Sequence, residues 1–139
     1  MYEHNPTLTA NATFVAGEGM IAGAVDAANA FAVDAGLAKG DAAKLAVLVE
    51  ELVANVCDHG RCARDDVVGL TLSADPGHMA IELDDPGIAF DPTIASRDAA
   101  IPERGGGAGI ALIRAWASDF RYERRDGRNF TRVILSRDV

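Results

Sequence analysis

The chain has 139 residues, 49% of them hydrophobic and 24% charged, which is the composition of about one globular domain with its own core. That balance excludes a disordered chain, and no internal repeat points to an array. A formal net charge of -8 works against non-specific binding to nucleic acid or anionic membrane.

No apolar run approaches membrane length, and the polar opening Met1-Tyr2-Glu3-His4-Asn5-Pro6 lacks the plan of a signal peptide, so the expected location is cytoplasmic. No linker divides residues 1–139, which read as one unit. The charge is uneven. Residues 1–60 hold eight acids and two bases, 61–139 hold thirteen acids and eleven bases, and every arginine lies in the second part. An anionic ligand is better received there.

Residues 7–14 alternate, with Leu8, Ala10, Ala12 and Phe14 on one face, which predicts a half-buried strand. Met20, Ile21, Ala24, Val25, Ala28, Phe31 and Ala32 then recur at helical spacing and end near Gly36. A second helix is expected after Asp41 as N-cap, with Leu45, Leu48, Val49, Leu52, Val53 and Val56 as its apolar stripe, running to about His59. Strands suit 67–73 and 78–84. The long stretch 86–108 follows, and such a stretch inside a compact domain points to function. A short helix fits 109–117, and strands near 119–125 and 129–136 are joined by the hairpin turn Asp126-Gly127. This order predicts a two-layer α/β sandwich, a mainly antiparallel sheet with helices on one face.

Three elements carry chemistry. On the second helix Glu51 and Asn55 stand four residues apart on the flank of the apolar stripe, with Glu50 turned to solvent. The Asn oxygen suits a hydrated Mg²⁺ and the Glu can orient or deprotonate a hydroxyl, although such spacing by itself more often marks a solvated flank. Beyond the third strand, Asp85 continues the inward parity of Met79, Ile81 and Leu83 into Asp85-Pro86-Gly87. A buried carboxylate needs a hydrogen-bonding partner, which an adenine amine supplies; an ordinary strand-ending turn is the other reading. Arg104-Gly105-Gly106-Gly107-Ala108-Gly109-Ile110 then opens a helix, where free backbone N–H groups suit phosphates or the glycines form a hinge.

Other patterns are weaker. Gly17-Glu18-Gly19 with Gly23 has the wrong spacing for a dinucleotide fingerprint and reads as a strand-to-helix connection. Cys57, His59 and Cys62 fit no common zinc spacing, and the two cysteines read as reduced thiols.

The ordered set of three resembles the N, G1 and G2 boxes of the GHKL ATPases, and within them the anti-sigma-factor serine kinases. The likeness runs through Glu51-Leu52-Val53-Ala54-Asn55, His59-Gly60, Asp85-Pro86-Gly87, Phe90-Asp91-Pro92 and Gly107-Ala108-Gly109-Ile110. It implies a Bergerat-type ATP fold over nearly the whole chain. By the same resemblance Asp85 meets the adenine amine, Gly87 lies beneath the ring, Asn55 holds Mg²⁺ and Glu51 is the candidate base. Gly105, Gly106, Gly107, Ala108 and Gly109 surround the phosphates, Ile110 is counted with them among the nucleotide-binding residues, and Arg104 adds charge at the lid. Thr131 matches a late-strand threonine near adenine, and its parity with Val133 and Leu135 points it inward. Ala89 stands where a second glycine is often found, and Ala108 with Ile110 where Leu-type residues are more usual.

The function implied is a protein-serine/threonine kinase that uses Mg-ATP to phosphorylate an anti-anti-sigma (STAS-type) partner and that sequesters a sigma factor as a homodimer. The alternative is a nucleotide-gated binding module without phosphotransfer.

Overall fold

The computed structural model describes residues 7–59, 62–63, 65–94 and 106–138, the side chains of His59 and of 106–108 excepted. In chain order the elements are β1 (Leu8–Val15), α1 (Met20–Asp34), α2 (Lys39–His59), β2 (Val67–Ala74) and β3 (His78–Asp85). One helical turn at 92–94 follows, then α3 (Gly106–Trp116), β4 (Ala117–Arg125) and β5 (Arg128–Ser136). The five strands form one sheet in the order β1-β2-β3-β5-β4, each neighbouring pair antiparallel. The fold is thus the expected α/β arrangement.

Strand parity sets the two faces. Val68, Leu70 and Leu72 of β2, Met79, Ile81 and Leu83 of β3, and Val133 and Leu135 of β5 are buried under the helices. Against them pack Ala24, Ala28 and Phe31 of α1, the Leu45-to-Val56 stripe of α2 and Ile113 of α3. A fully buried aliphatic side chain of this kind contributes about 1.5–3 kcal/mol relative to exposure. The opposite face stays open and is laced with ion pairs, among them Arg128 to Asp84 at 2.7 Å and Arg132 to Glu82 at 3.4 Å.

Local chemistry explains the punctuation. The α1 helix closes at Gly36, whose φ of 63° a Cβ would strain, and the Leu37 N–H reaches the Ala32 carbonyl at 3.0 Å to satisfy the last turn. Asp126 and Gly127, with φ of 51° and 74°, make the expected tight turn between β4 and β5.

Three expectations need correction. The first strand is not half-buried. Leu8 is 41% exposed and only Ala12 and Phe14 are partly covered, because β1 is an edge strand and the helices centre on β2, β3 and β5. Asp41 does not cap α2, which begins at Lys39. Its carboxylate is buried in the first turn and takes the Asp138 N–H at 3.0 Å, so it holds the end of the described chain instead. The third helix starts at Gly106 rather than 109, so most of the glycine run forms its first turn, and Ala117 already belongs to β4, opposite Leu135.

Candidate functional site

One end of the α2, β3 and β5 layer gathers polar side chains that strand and helix periodicity send inward. A narrow pocket there, with room for about 20 Å³, is lined by Leu52, Asn55 and Val56 of α2, Leu83 and Asp85 of β3, Phe90 and Pro92, and Asn129 and Thr131 of β5. That is the space of about one water molecule. A planar ring therefore enters only if the 86–94 segment, which supplies Phe90 and Pro92, moves outward.

Asp85 is 5% exposed, as its parity predicts. Its Oδ1 accepts the Gly87 N–H at 2.9 Å and the Asn129 Nδ2–H at 3.0 Å. The strand does end in a turn at Pro86-Gly87, but Asp85 does not bend out to water as the turn reading has it; it stays inside and holds the turn from there. Asn55 is 8% exposed, and its Nδ2 is buried with no hydrogen-bond partner among the described residues. An orphaned amide costs roughly 1–3 kcal/mol unless something completes it. A bound ligand is one way to complete such a group.

Glu51 does not line the pocket. One turn before Asn55, its carboxylate is packed against Gly109 in the first turn of α3, so closely that a Cβ at position 109 would collide with it. Burial raises its carboxyl above the usual glutamate value, and neighbouring Glu50 adds to the rise. Glu50 itself is exposed, as expected.

The other expected residues divide. Thr131 lies in the pocket, 8% exposed. Gly87 is buried and acts through its backbone, its carbonyl accepting from Arg124 Nη1 at 2.7 Å. Ala89 is exposed and lies off the pocket, and Ile110 is a buried apolar residue of α3. Gly106, Gly107 and Ala108 belong to the helix itself. Arg104 and Gly105 lie outside the described residues.

Sequence reasoning missed Asn129, Arg124 and Tyr122. Asn129 shares the inward parity of Thr131, Val133 and Leu135, the argument already applied to Asp85, so the signal was present.

Cys57 and Cys62 are free thiols. Burial, with the Asp85 charge next in weight, pushes Cys62 up to about 11, and burial followed by Asp58 raises Cys57. Neither has the low-pKa setting of a reactive cysteine. Among the described residues no group of three or more His, Cys, Asp or Glu side chains is placed to hold a metal, and no helix is long and apolar enough to cross a membrane.

An open antiparallel sheet with helices on one face, an inward Asp ending β3, a buried Asn on α2 and a glycine-rich helix start together define a GHKL-type ATPase domain. Residues 14–135 match the model of the histidine kinase-like ATPase domain, and the chain belongs to that family. Among solved structures it is similar to a chain of the SiaB-SiaC complex from Pseudomonas aeruginosa. The TM-score is 0.63 at 12% identity, covering 91% of this chain and 89% of that one, a likeness of fold. Comparison with curated protein sequences gives no significant match.

Proposed function

We propose that this chain is an anti-sigma regulatory protein that binds Mg-ATP, phosphorylates a serine or threonine of an anti-anti-sigma partner of STAS type, and sequesters a sigma factor. The observation that carries the reading is the convergence of Asn55, Asp85 and Thr131 on one pocket, with Glu51 one helical turn away. The likeness to a chain solved in a two-protein complex supports a partner-binding role.

In this reading Asp85 accepts a hydrogen bond from the adenine amine through Oδ2, since Oδ1 already takes two donors. Thr131 supplies a hydroxyl beside it. The residues fit Mg²⁺ through Asn55, whose unsatisfied buried amide can turn its oxygen to a cation that the triphosphate completes. When bound, Mg²⁺ neutralises phosphate charge. Glu51 then accepts the proton of the acceptor hydroxyl, whose oxygen bonds to the γ-phosphorus as the bond to the β,γ-bridging oxygen breaks and ADP leaves. Its raised pKa suits a base, so the acid limb of the transfer rate lies above the ordinary glutamate value. Because the active form is deprotonated, transfer is lost as pH falls through that limb. Glu50→Gln is expected to move the limb to lower pH in a pH-rate profile.

Gly109 has a defined part here. Gly109→Ala adds a helix-favouring residue worth about 0.5–1 kcal/mol but pushes the Glu51 carboxylate aside. The expected outcome is an unchanged or higher thermal midpoint together with slower phosphate transfer; a normal rate would mean that Glu51 works from elsewhere.

The proposed homodimer would use β1, an edge strand whose sequence LTANATFV carries no charge to discourage pairing. Pull-down of a candidate sigma factor and a candidate antagonist, with Mg-ATP and with Mg-ADP, tests the regulatory role. Capture that depends on which nucleotide is present is expected. Capture of neither partner under any nucleotide would remove it.

A further inference from the structure

Asn129 is 3% exposed and lines the pocket, yet it has nothing left to offer a ligand. Its Nδ2 donates to Asp85 Oδ1 at 3.0 Å and to the Ile88 carbonyl at 2.7 Å. Its Oδ1 accepts from Arg124 Nη1 at 3.0 Å and from the Tyr122 hydroxyl. Two donors and two acceptor positions are all in use, which is the full capacity of a carboxamide. A side chain in this state is a positioning residue.

The orientation of that amide is fixed by chemistry. A guanidinium only donates, so the atom of Asn129 facing Arg124 is the oxygen, and the NH₂ therefore faces Asp85. Arg124 Nη1 also donates to the Gly87 carbonyl at 2.7 Å. The β4–β5 hairpin thus grips both the carboxylate and the turn beyond it. With the Gly87 N–H and the Asn129 NH₂ both aimed at Oδ1, Asp85 is held as an acceptor, and Oδ2, which takes no hydrogen bond from the described residues, is presented with an acceptor's polarity.

Resting on the nucleotide-binding reading above, we infer that Asn129, locked by Arg124 and Tyr122, determines base specificity by holding Asp85 as an acceptor, so that the pocket takes a 6-aminopurine and rejects a 6-oxopurine. The amine of adenine meets Oδ2 with a donor. The carbonyl of hypoxanthine or guanine meets it with a second acceptor, leaving two buried acceptors opposed.

Asn129→Asp weakens the instruction. Its carboxylate faces Asp85 Oδ1, where the Asn129 NH₂ stood, so the two share one proton between those oxygens and Oδ2 is left as the weaker acceptor of a partly neutralised carboxyl. Arg124→Met removes the donor that fixes the amide, together with its bond to the Gly87 carbonyl, from a residue of β4 that is otherwise exposed, and serves if Asn129→Asp does not fold. The experiment is calorimetric titration with ADP and with inosine diphosphate, which differ in the substituent at purine position 6 and in the proton that hypoxanthine carries on N1. The unsubstituted protein is expected to prefer ADP by roughly 10²-fold or more. Asn129→Asp is expected to bring that ratio to within about tenfold, and Arg124→Met to lower it by about tenfold. A ratio unchanged in both variants, with ADP still bound, overturns the inference and leaves Asn129 a structural residue. Equal binding of the two nucleotides by the unsubstituted protein also overturns it. Binding of neither removes the nucleotide reading itself.

Discussion

Glu51→Gln is expected to slow phosphate transfer by roughly 10²–10⁴-fold while leaving the affinity for ATP nearly intact. The substitution keeps size and hydrogen-bonding reach and removes only the carboxylate's capacity to take a proton, the role proposed for it. Glu51 is outside the pocket lining, packed instead against the first turn of α3, so adenine binding has no need of it. Among the described residues no hydrogen bond holds its carboxylate in place, and its raised carboxyl is what burial beside Glu50 produces. Single-turnover transfer and calorimetry on the same preparation separate the two effects. An unchanged rate would remove Glu51 from the chemistry, whereas a parallel loss of ATP affinity would make it a binding residue.

Asp85→Asn is expected to weaken ATP and ADP alike, by about 1–3 kcal/mol, or roughly 5- to 150-fold in Kd. Asn at this position can still accept the Gly87 and Asn129 donors through its single oxygen. It then presents an NH₂ to the adenine amine, donor against donor. The turn is therefore preserved while recognition is lost, and the thermal midpoint is expected to move little. Unchanged affinity for both nucleotides would exclude contact between position 85 and the base.

Much of this was legible in the chain because it depends on periodicity. Alternation along β3 and β5 turned Asp85 and Thr131 inward, and the 3.6-residue period of α2 put Asn55 at the edge of its apolar stripe. The Asp126-Gly127 turn and the Gly36 stop follow from local backbone chemistry. What escaped was non-local. Asp41 looked like a cap because the partner it takes, the Asp138 N–H, lies 97 residues away. The exposure of β1 depends on its place at the sheet edge, which alternation does not encode. The Asn129, Arg124 and Tyr122 network forms only when the β4–β5 hairpin is registered beside β3. The contact of Glu51 with Gly109 likewise joins two helices, and shows a physical reason for a glycine that sequence alone assigned to the phosphates.

The most direct test of the central claim follows the γ-phosphate. Incubation of the purified protein and a candidate antagonist with γ-labelled Mg-ATP is predicted to place label on a serine or threonine of the antagonist, and Asn55→Ala, which removes the one side chain assigned to the cation, is predicted to abolish it. Absence of label on any serine or threonine partner, with partner capture still dependent on ATP, would contradict the kinase and leave a nucleotide-gated binding module.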